Sequence, residues 1–286
     1  MSTKTSKTND FKQWLCSEEK STATIEKYSD DIDKFRAWMH ERGWNDETED
    51  EQVIKNAVIQ YKSVLKARGL KAASVNVTLA ALNSYMKYLG CNSGVNYLKV
   101  QQKVFTDEER ELTLSEYKML VKTARLCSNE RLALVMETMA STGMRVSELQ
   151  YVTVESIQTN KVIVEMKSKI RTILLPERLC YKLNNYVIRY GIEEGQIFLT
   201  SSGMPLSRKQ IWKEMKHISD IAGVPTSKVF PHNLRHVFAR TYYEEWEDVV
   251  HLADILGHSS INTTRIYLKY SGSECERQLN KLKIIS

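Results

Sequence analysis

Apolar residues in the first ninety positions recur three and four apart. Ile25, Tyr28, Ile32, Phe35, Trp38 and Met39 form one series. Val53, Ile54, Val58, Ile59, Tyr61, Val64 and Leu65 form a second, and Leu79, Leu82, Tyr85, Met86 and Leu89 a third. This spacing places each series on one face of an α-helix, and such a face is stable only when buried against another. Ser21 or Thr22 caps the first helix, Arg68-Gly69 ends the second and Gly90 closes the third, because glycine enters the left-handed conformation cheaply. With a short helix at Phe11–Cys16, the reading is a four-helix bundle.

The period is lost over residues 91–109. Cys91-Asn-Ser-Gly reads as a turn, and Val100-Gln-Gln-Lys-Val has no clear repeat. This segment is the expected connection, with domains at 1–104 and 105–286. The second domain is mixed. A helix starts at Thr113 or Ser115, and Arg131–Ser141 reads as a buried helix. Lys161–Met166 and Arg171–Leu175 read as two strands joined by a turn carrying Lys167 and Lys169. Helices are expected near 177–190, 207–222, 232–245, 247–256 and 260–270, and a short tail helix after 274. The fold class is mainly α with a small β-sheet in the C-terminal domain.

Charge narrows the function. Residues 52–103 hold Lys55, Lys62, Lys66, Arg68, Lys71, Lys87, Lys99 and Lys103 and no carboxylate. A one-signed field of that length suits a polyanion, or it is only a basic solvated face. The five cysteines are far apart, without a C-x-x-C pair, which favours free thiols over a disulfide framework or a structural zinc site. The polar N-terminus and the lack of a membrane-length apolar run point to a cytoplasmic protein without a membrane partner.

The last third carries the chemistry. His232 and Arg235 are three apart at the start of a helix that follows Pro231, so they share a face where helix N–H groups favour an anion. His258 follows Leu256-Gly257, and Tyr267 stands nine residues later. Arg145 follows Thr142-Gly143-Met144, with Glu148 at i+3 to hold it. A zinc site at His232, His236 and His258 is the rival reading. It lacks the glutamate of H-E-x-x-H, because that position is Asn233. Each element has an ordinary structural explanation. Together they assemble phosphate-holding, proton-handling and nucleophilic groups.

The strings Ser-Thr-Gly-Met-Arg-Val-Ser-Glu-Leu (141–149), Pro-His-Asn-Leu-Arg-His-Val-Phe-Ala (231–239) and Leu-Gly-His-Ser-Ser-Ile-Asn-Thr-Thr-Arg-Ile-Tyr (256–267) closely resemble the tyrosine recombinases, which include phage and transposon integrases and the Xer recombinases. The N-terminal helices resemble that family's core-binding (SAM-like) domain in pattern only. The resemblance implies catalytic positions at Arg145, Lys167, His232, Arg235, His258 and Tyr267. Where the family often reads Gly-Lys-Gly, this chain reads Met166-Lys167-Ser168-Lys169, and Lys169 could replace Lys167 if the turn is shifted.

The implied reaction is site-specific DNA strand exchange through a 3′-phosphotyrosyl intermediate, with neither ATP nor a metal cofactor. The implied partners are double-stranded DNA sites and a homotetramer assembled on them. Lys62, Lys66, Arg68, Lys71 and Lys87 are the expected DNA-binding cations, and the C-terminal tail is expected to dock on a neighbouring copy. A type IB topoisomerase-like relaxing activity and a non-catalytic DNA-binding regulator are the alternatives.

Overall fold

Side-chain oxygens set the helix starts in this computed structural model. Ser21 accepts from the Thr24 N–H, and Asp50 from those of Gln52 and Val53. The structure describes residues 3–44, 50–99, 108–166, 169–258 and 260–267, with short pieces at 276–277 and 280–281. The chain divides into two units, Met1–Gln102 and Lys103–Ser286.

The first unit consists of α1 (Thr3–Ser17), α2 (Thr22–Glu41), α3 (Glu51–Ala67) and α4 (Ala72–Tyr88). The periodic faces are its core: Ile32, Phe35, Trp38, Ile54, Val58, Leu79, Leu82 and Met86 are buried. Phe35, Trp38 and Tyr61 pack as an aromatic triad with ring centroids 5.1–6.1 Å apart. Helix α1 begins well before the expected Phe11, on polar residues that give no periodic signal.

The expected connection at 91–109 is altered at its start, because residues 92–98 are strapped to the helices. Asn83 both accepts from Val95 N–H at 2.8 Å and donates to Val95 C=O at 3.0 Å. Asn76 pairs with Leu98 in the same way at 2.8 and 2.9 Å. Each amide presents a donor and an acceptor side by side, so it matches a strand residue as a neighbouring strand would. Glu51 accepts from the Asn92 and Ser93 N–H groups.

The second unit comprises α5 (Leu114–Leu126), α6 (Glu130–Thr142), a 3₁₀ turn (Val146–Tyr151), α7 (Val154–Thr159), strands β1 (Lys161–Met166) and β2 (Lys169–Leu174), α8 (Glu177–Tyr190), α9 (Arg208–Ala222), α10 (Pro231–Trp246), α11 (Val249–Leu256), α12 (Ile261–Thr264) and a 3₁₀ turn (Arg265–Tyr267). Helix α6 is the central rod, with Leu132, Val135, Met136 and Met139 all buried, and α5, α8, α9 and α10 pack around it. The strands form an antiparallel hairpin whose register pairs Met166 with Lys169 and Val164 with Arg171. Of the expected single helix over 260–270, the described part is instead one α-turn at Ile261–Thr264 followed by 3₁₀ backbone at Arg265–Tyr267, and residues 268–270 lie outside the described residues. Among the described residues, no helix is long and apolar enough to cross a membrane.

Candidate active site

Two helix C-termini create the site. Helix α6 stops at Gly143 (φ 65°) and α11 at Gly257 (φ 65°), left-handed positions where other residues are strained. Space forbids a side chain at Gly143 as well, since a Cβ there would stand 2.5 Å from Phe238 Cδ1. The freed carbonyls at these two ends point at one guanidinium. Arg235 Nη1 donates to Gly143 O at 2.6 Å, and Nη2 donates to Leu256 O at 2.7 Å. Arg235 is 1% exposed. A buried cation is costly unless well partnered, and here carbonyls at the negative ends of two helix dipoles compensate it.

The same Nη2 lies 2.8 Å from His258 Nε2. Guanidinium cannot accept, so Nε2 is the acceptor and the ring proton resides on Nδ1. Nδ1 then donates to Thr264 Oγ1 at 2.8 Å. Burial, followed by the charges of Arg235, Arg145 and Arg171, brings the His258 pKa down to about 4, so the ring is neutral at pH 7. His232 is also held below its usual value, by burial first and then by Arg235, Arg145 and Arg208. A neutral imidazole has a free lone pair to receive a proton.

Tyr267 is 3% exposed and packs with Ala239, Leu252 and Leu256. Its ring stacks on His258 (centroids 5.7 Å apart, 12°) and meets His236 edge-on at 4.5 Å, with His232 at 6.0 Å. The Arg235 guanidinium, bonded to the His258 ring on which the phenol stacks, is an electrostatic neighbour of Tyr267. The phenol is therefore shielded from solvent, one imidazole away from the arginine expected to hold a phosphate.

Arg145 caps the 3₁₀ turn and is clasped by Glu148. One carboxylate oxygen accepts from the Arg145 backbone N–H at 2.6 Å and the other from Nη1 at 3.0 Å. The carboxylate is buried, whereas the Arg145 side chain is 43% exposed. It opens into a cleft of about 450 Å³ that is also lined by Ser147, Gln150, Arg208, His232 and Arg235.

Arg145, His232, Arg235, His258 and Tyr267 thus converge. Lys167 lies outside the described residues, and of Lys169 only the strand position is described. Three neighbours were missed by sequence reasoning: Arg171, Arg208 and Thr264. Arg171 could have been found, because period two in β2 puts it on the same face as buried Ile173. The rival metal reading gains no geometry, since among the described residues no three His, Cys, Asp or Glu side chains form a metal-binding group.

The expected DNA-binding cations differ among themselves. Lys62 donates to Asn96 O at 2.6 Å, and Lys87 pairs with Glu18 at 3.0 Å and lies over the Trp14 ring. Lys66, Arg68 and Lys71 are exposed around the α3–α4 turn.

Residues 110–273 match the model of the phage integrase family, and residues 8–90 match the phage integrase N-terminal SAM-like domain. Tyrosine recombinase XerA of Pyrococcus furiosus is 28% identical over 283 residues, covering 96% of this chain and 93% of its own length. Tyrosine recombinase XerD of Bifidobacterium longum is also 28% identical, covering 88% of each chain. Among solved structures, a lambda integrase dimer bound to a COC′ core site aligns with a TM-score of 0.67 at 20% identity, over 92% of this chain and 94% of that one. The XerH recombinase bound to palindromic difH in a post-cleavage complex aligns at 0.62 and 21%, over 79% and 69%. These structural likenesses concern the fold.

Proposed function

The chain belongs to the phage integrase family of tyrosine recombinases, enzymes that cleave and rejoin DNA strands at specific sites, and from that membership we propose that Tyr267 is the nucleophile and Arg145, His232, Arg235 and His258 are its catalytic partners. The observation that carries this assignment is the packing of the Tyr267 ring on His258, His236 and His232, with His258 bonded to the buried Arg235 guanidinium and His232 and Arg235 lining the Arg145 cleft.

The phenolic oxygen forms a bond to a backbone phosphorus, and the bond to the 5′ oxygen breaks, leaving a 3′-phosphotyrosyl ester. His232, neutral at pH 7, accepts the phenolic proton. The departing 5′ oxygen takes a proton from a lysine at the tip of the hairpin, Lys167 in the turn or Lys169 at the start of β2. Arg145 and Arg235 hold the non-bridging oxygens, whose charge is redistributed in the pentacoordinate state. His258, with Nε2 on Arg235 and Nδ1 on Thr264, keeps that guanidinium in place. A second 5′-hydroxyl reverses the step. Ester exchange conserves the bond energy, so the chemistry requires no nucleotide cofactor.

The partners in this proposal are two double-stranded DNA sites in the cytoplasm, bound by four copies of the chain. Exposed Lys66, Arg68 and Lys71 contribute phosphate contacts. A recombinase is favoured over a topoisomerase-like relaxing enzyme because relatives named as recombinases match along nearly their whole length.

The test is trapping on a nicked half-site, from which the cleaved fragment diffuses away. The wild type accumulates a covalent protein–DNA adduct mapping to residue 267, and Tyr267→Phe gives none while still binding DNA. An adduct in Tyr267→Phe would show that the nucleophile is another residue.

A further inference from the structure

Arg171 is a charged side chain at the heart of this unit that the proposed chemistry does not use. It lies on β2 opposite Val164, on the hairpin face whose other members, Val162 and Ile173, are buried. Its side chain is 14% exposed. Burial draws its pKa down to about 10, opposed by Glu148 and assisted by Arg235 and Arg145, so it remains charged at neutral pH. Its Nε and Nη2 are buried without a hydrogen-bond partner among the described residues. Unpaired buried donors cost stability, so packing alone does not account for an arginine here.

Its contacts do. Nη1 donates to Leu256 O, the same carbonyl that accepts from Arg235 Nη2 at 2.7 Å. Nη1 also lies 3.6 Å from Glu148 Oε1, the oxygen that holds Arg145 at 3.0 Å. Its stem fills the space beside Gly257, where a Cβ would stand 2.7 Å from Arg171 Cδ, and His258 is the next residue. One guanidinium therefore bridges the supports of both phosphate-facing arginines.

We propose that Arg171 is a positioning residue for strand cleavage: it fixes the Glu148–Arg145 pair relative to the Leu256–His258 turn, so that Arg145 and Arg235 face one phosphate. This inference rests on the assignment of Arg145 and Arg235 as the phosphate clamp.

The test uses the full chain and half-site DNA in three forms: an ordinary scissile phosphate, a neutral methylphosphonate, and a 5′-bridging phosphorothiolate whose sulfur leaves without needing a proton. Arg171→Met removes the bridge. Arg171→Lys keeps a charge and remains informative if the methionine variant does not fold, as thermal melting will show. Arg145→Ala is the reference. On ordinary DNA, Arg171→Met forms adduct about 100-fold more slowly in a single turnover, the scale of a misplacement of about 1 Å, and Arg171→Lys shows a smaller deficit of the same kind. On methylphosphonate the deficit shrinks toward the wild-type rate in step with Arg145→Ala, because a neutral oxygen needs no guanidinium. On the phosphorothiolate the deficit persists. Equal deficits on all three substrates, relief by sulfur alone, or no deficit on ordinary DNA would each overturn the proposal. Relief in Arg145→Ala without relief in the Arg171 variants refutes the Arg171 role only. No relief in Arg145→Ala itself refutes the clamp assignment, and the Arg171 proposal falls with it.

Discussion

Replacing Arg235 with lysine keeps the charge and removes the fork. In the wild type the fork reaches Gly143 O at 2.6 Å, Leu256 O at 2.7 Å and His258 Nε2 at 2.8 Å. These acceptors sit at the ends of two helices and on a turn, and a single ammonium on a shorter reach does not span them. Leu256 O keeps Arg171 as a donor, whereas Gly143 O and His258 Nε2 lose theirs. Each orphaned buried acceptor costs about 1–3 kcal/mol, so stability falls by roughly 2–6 kcal/mol. At about 2–4 °C per kcal/mol for a unit of this size, Tm drops by roughly 4–24 °C. Losing one preorganised donor at the phosphate raises the barrier by about 2.7–4 kcal/mol, a slowing of roughly 10²–10³. The assay is single-turnover adduct formation on half-site DNA, well below the variant's melting temperature, with DNA affinity measured in parallel. If folded Arg235→Lys reacts within about threefold of wild type, a difference of well under 1 kcal/mol, then fork geometry is not what the site requires, and the reasoning is refuted.

Thr264→Val removes the acceptor of the His258 Nδ1 proton; with that tautomer no longer enforced, cleavage should slow about tenfold, the equivalent of about 1.4 kcal/mol, and an unchanged rate would show that His258 needs no such anchor. Gly143→Ala forces a Cβ to within 2.5 Å of Phe238 in a left-handed backbone; the expected loss is roughly 2–5 kcal/mol, read by denaturant unfolding, and a variant as stable as wild type contradicts the packing described. His236 is brought down to about 3 by burial, then by His232, Arg240 and Arg235, and His258 to about 4. An unfolded imidazole titrates near about 6.5, so below that pH the unfolded chain binds protons that the folded one refuses. The stability these two groups provide is complete above that pH and lost as pH falls toward the folded values. Tm should therefore drop on acidification from pH 7 to 5, less steeply in His236→Asn, and equal slopes would absolve His236. Lys66→Ala, Arg68→Ala and Lys71→Ala should each lower the log–log salt slope of DNA binding by about 0.9 for every phosphate the wild-type side chain neutralises; an unchanged slope would remove that residue from the interface.

The helices of the first unit were legible because their apolar residues repeat at the helical period, and burial of that face requires little else. The clustering of the proposed catalytic groups was legible because motif order keeps His232, Arg235, His258 and Tyr267 at short, readable separations, with Arg145 marked by its glycine break. Other features depend on atoms brought together from far along the chain. The strap by Asn76 and Asn83 could not be read, because asparagine on a helix usually faces water and gives no sign that it will pair with a strand. The end of α12 at Thr264 was also not visible in local spacing.

The sequence by itself determined which chemical groups the protein owns and on which helix faces they lie, since both follow from residue type and from periods of a few residues. Only the tertiary structure decided their states. The burial of Arg235 under two helix ends, the neutral His258, the shielding of Tyr267 and the bridging place of Arg171 all come from carbonyls and charges distant in sequence. Hydrogen bonding and desolvation depend on distances in space, and those exist only once the helices have packed.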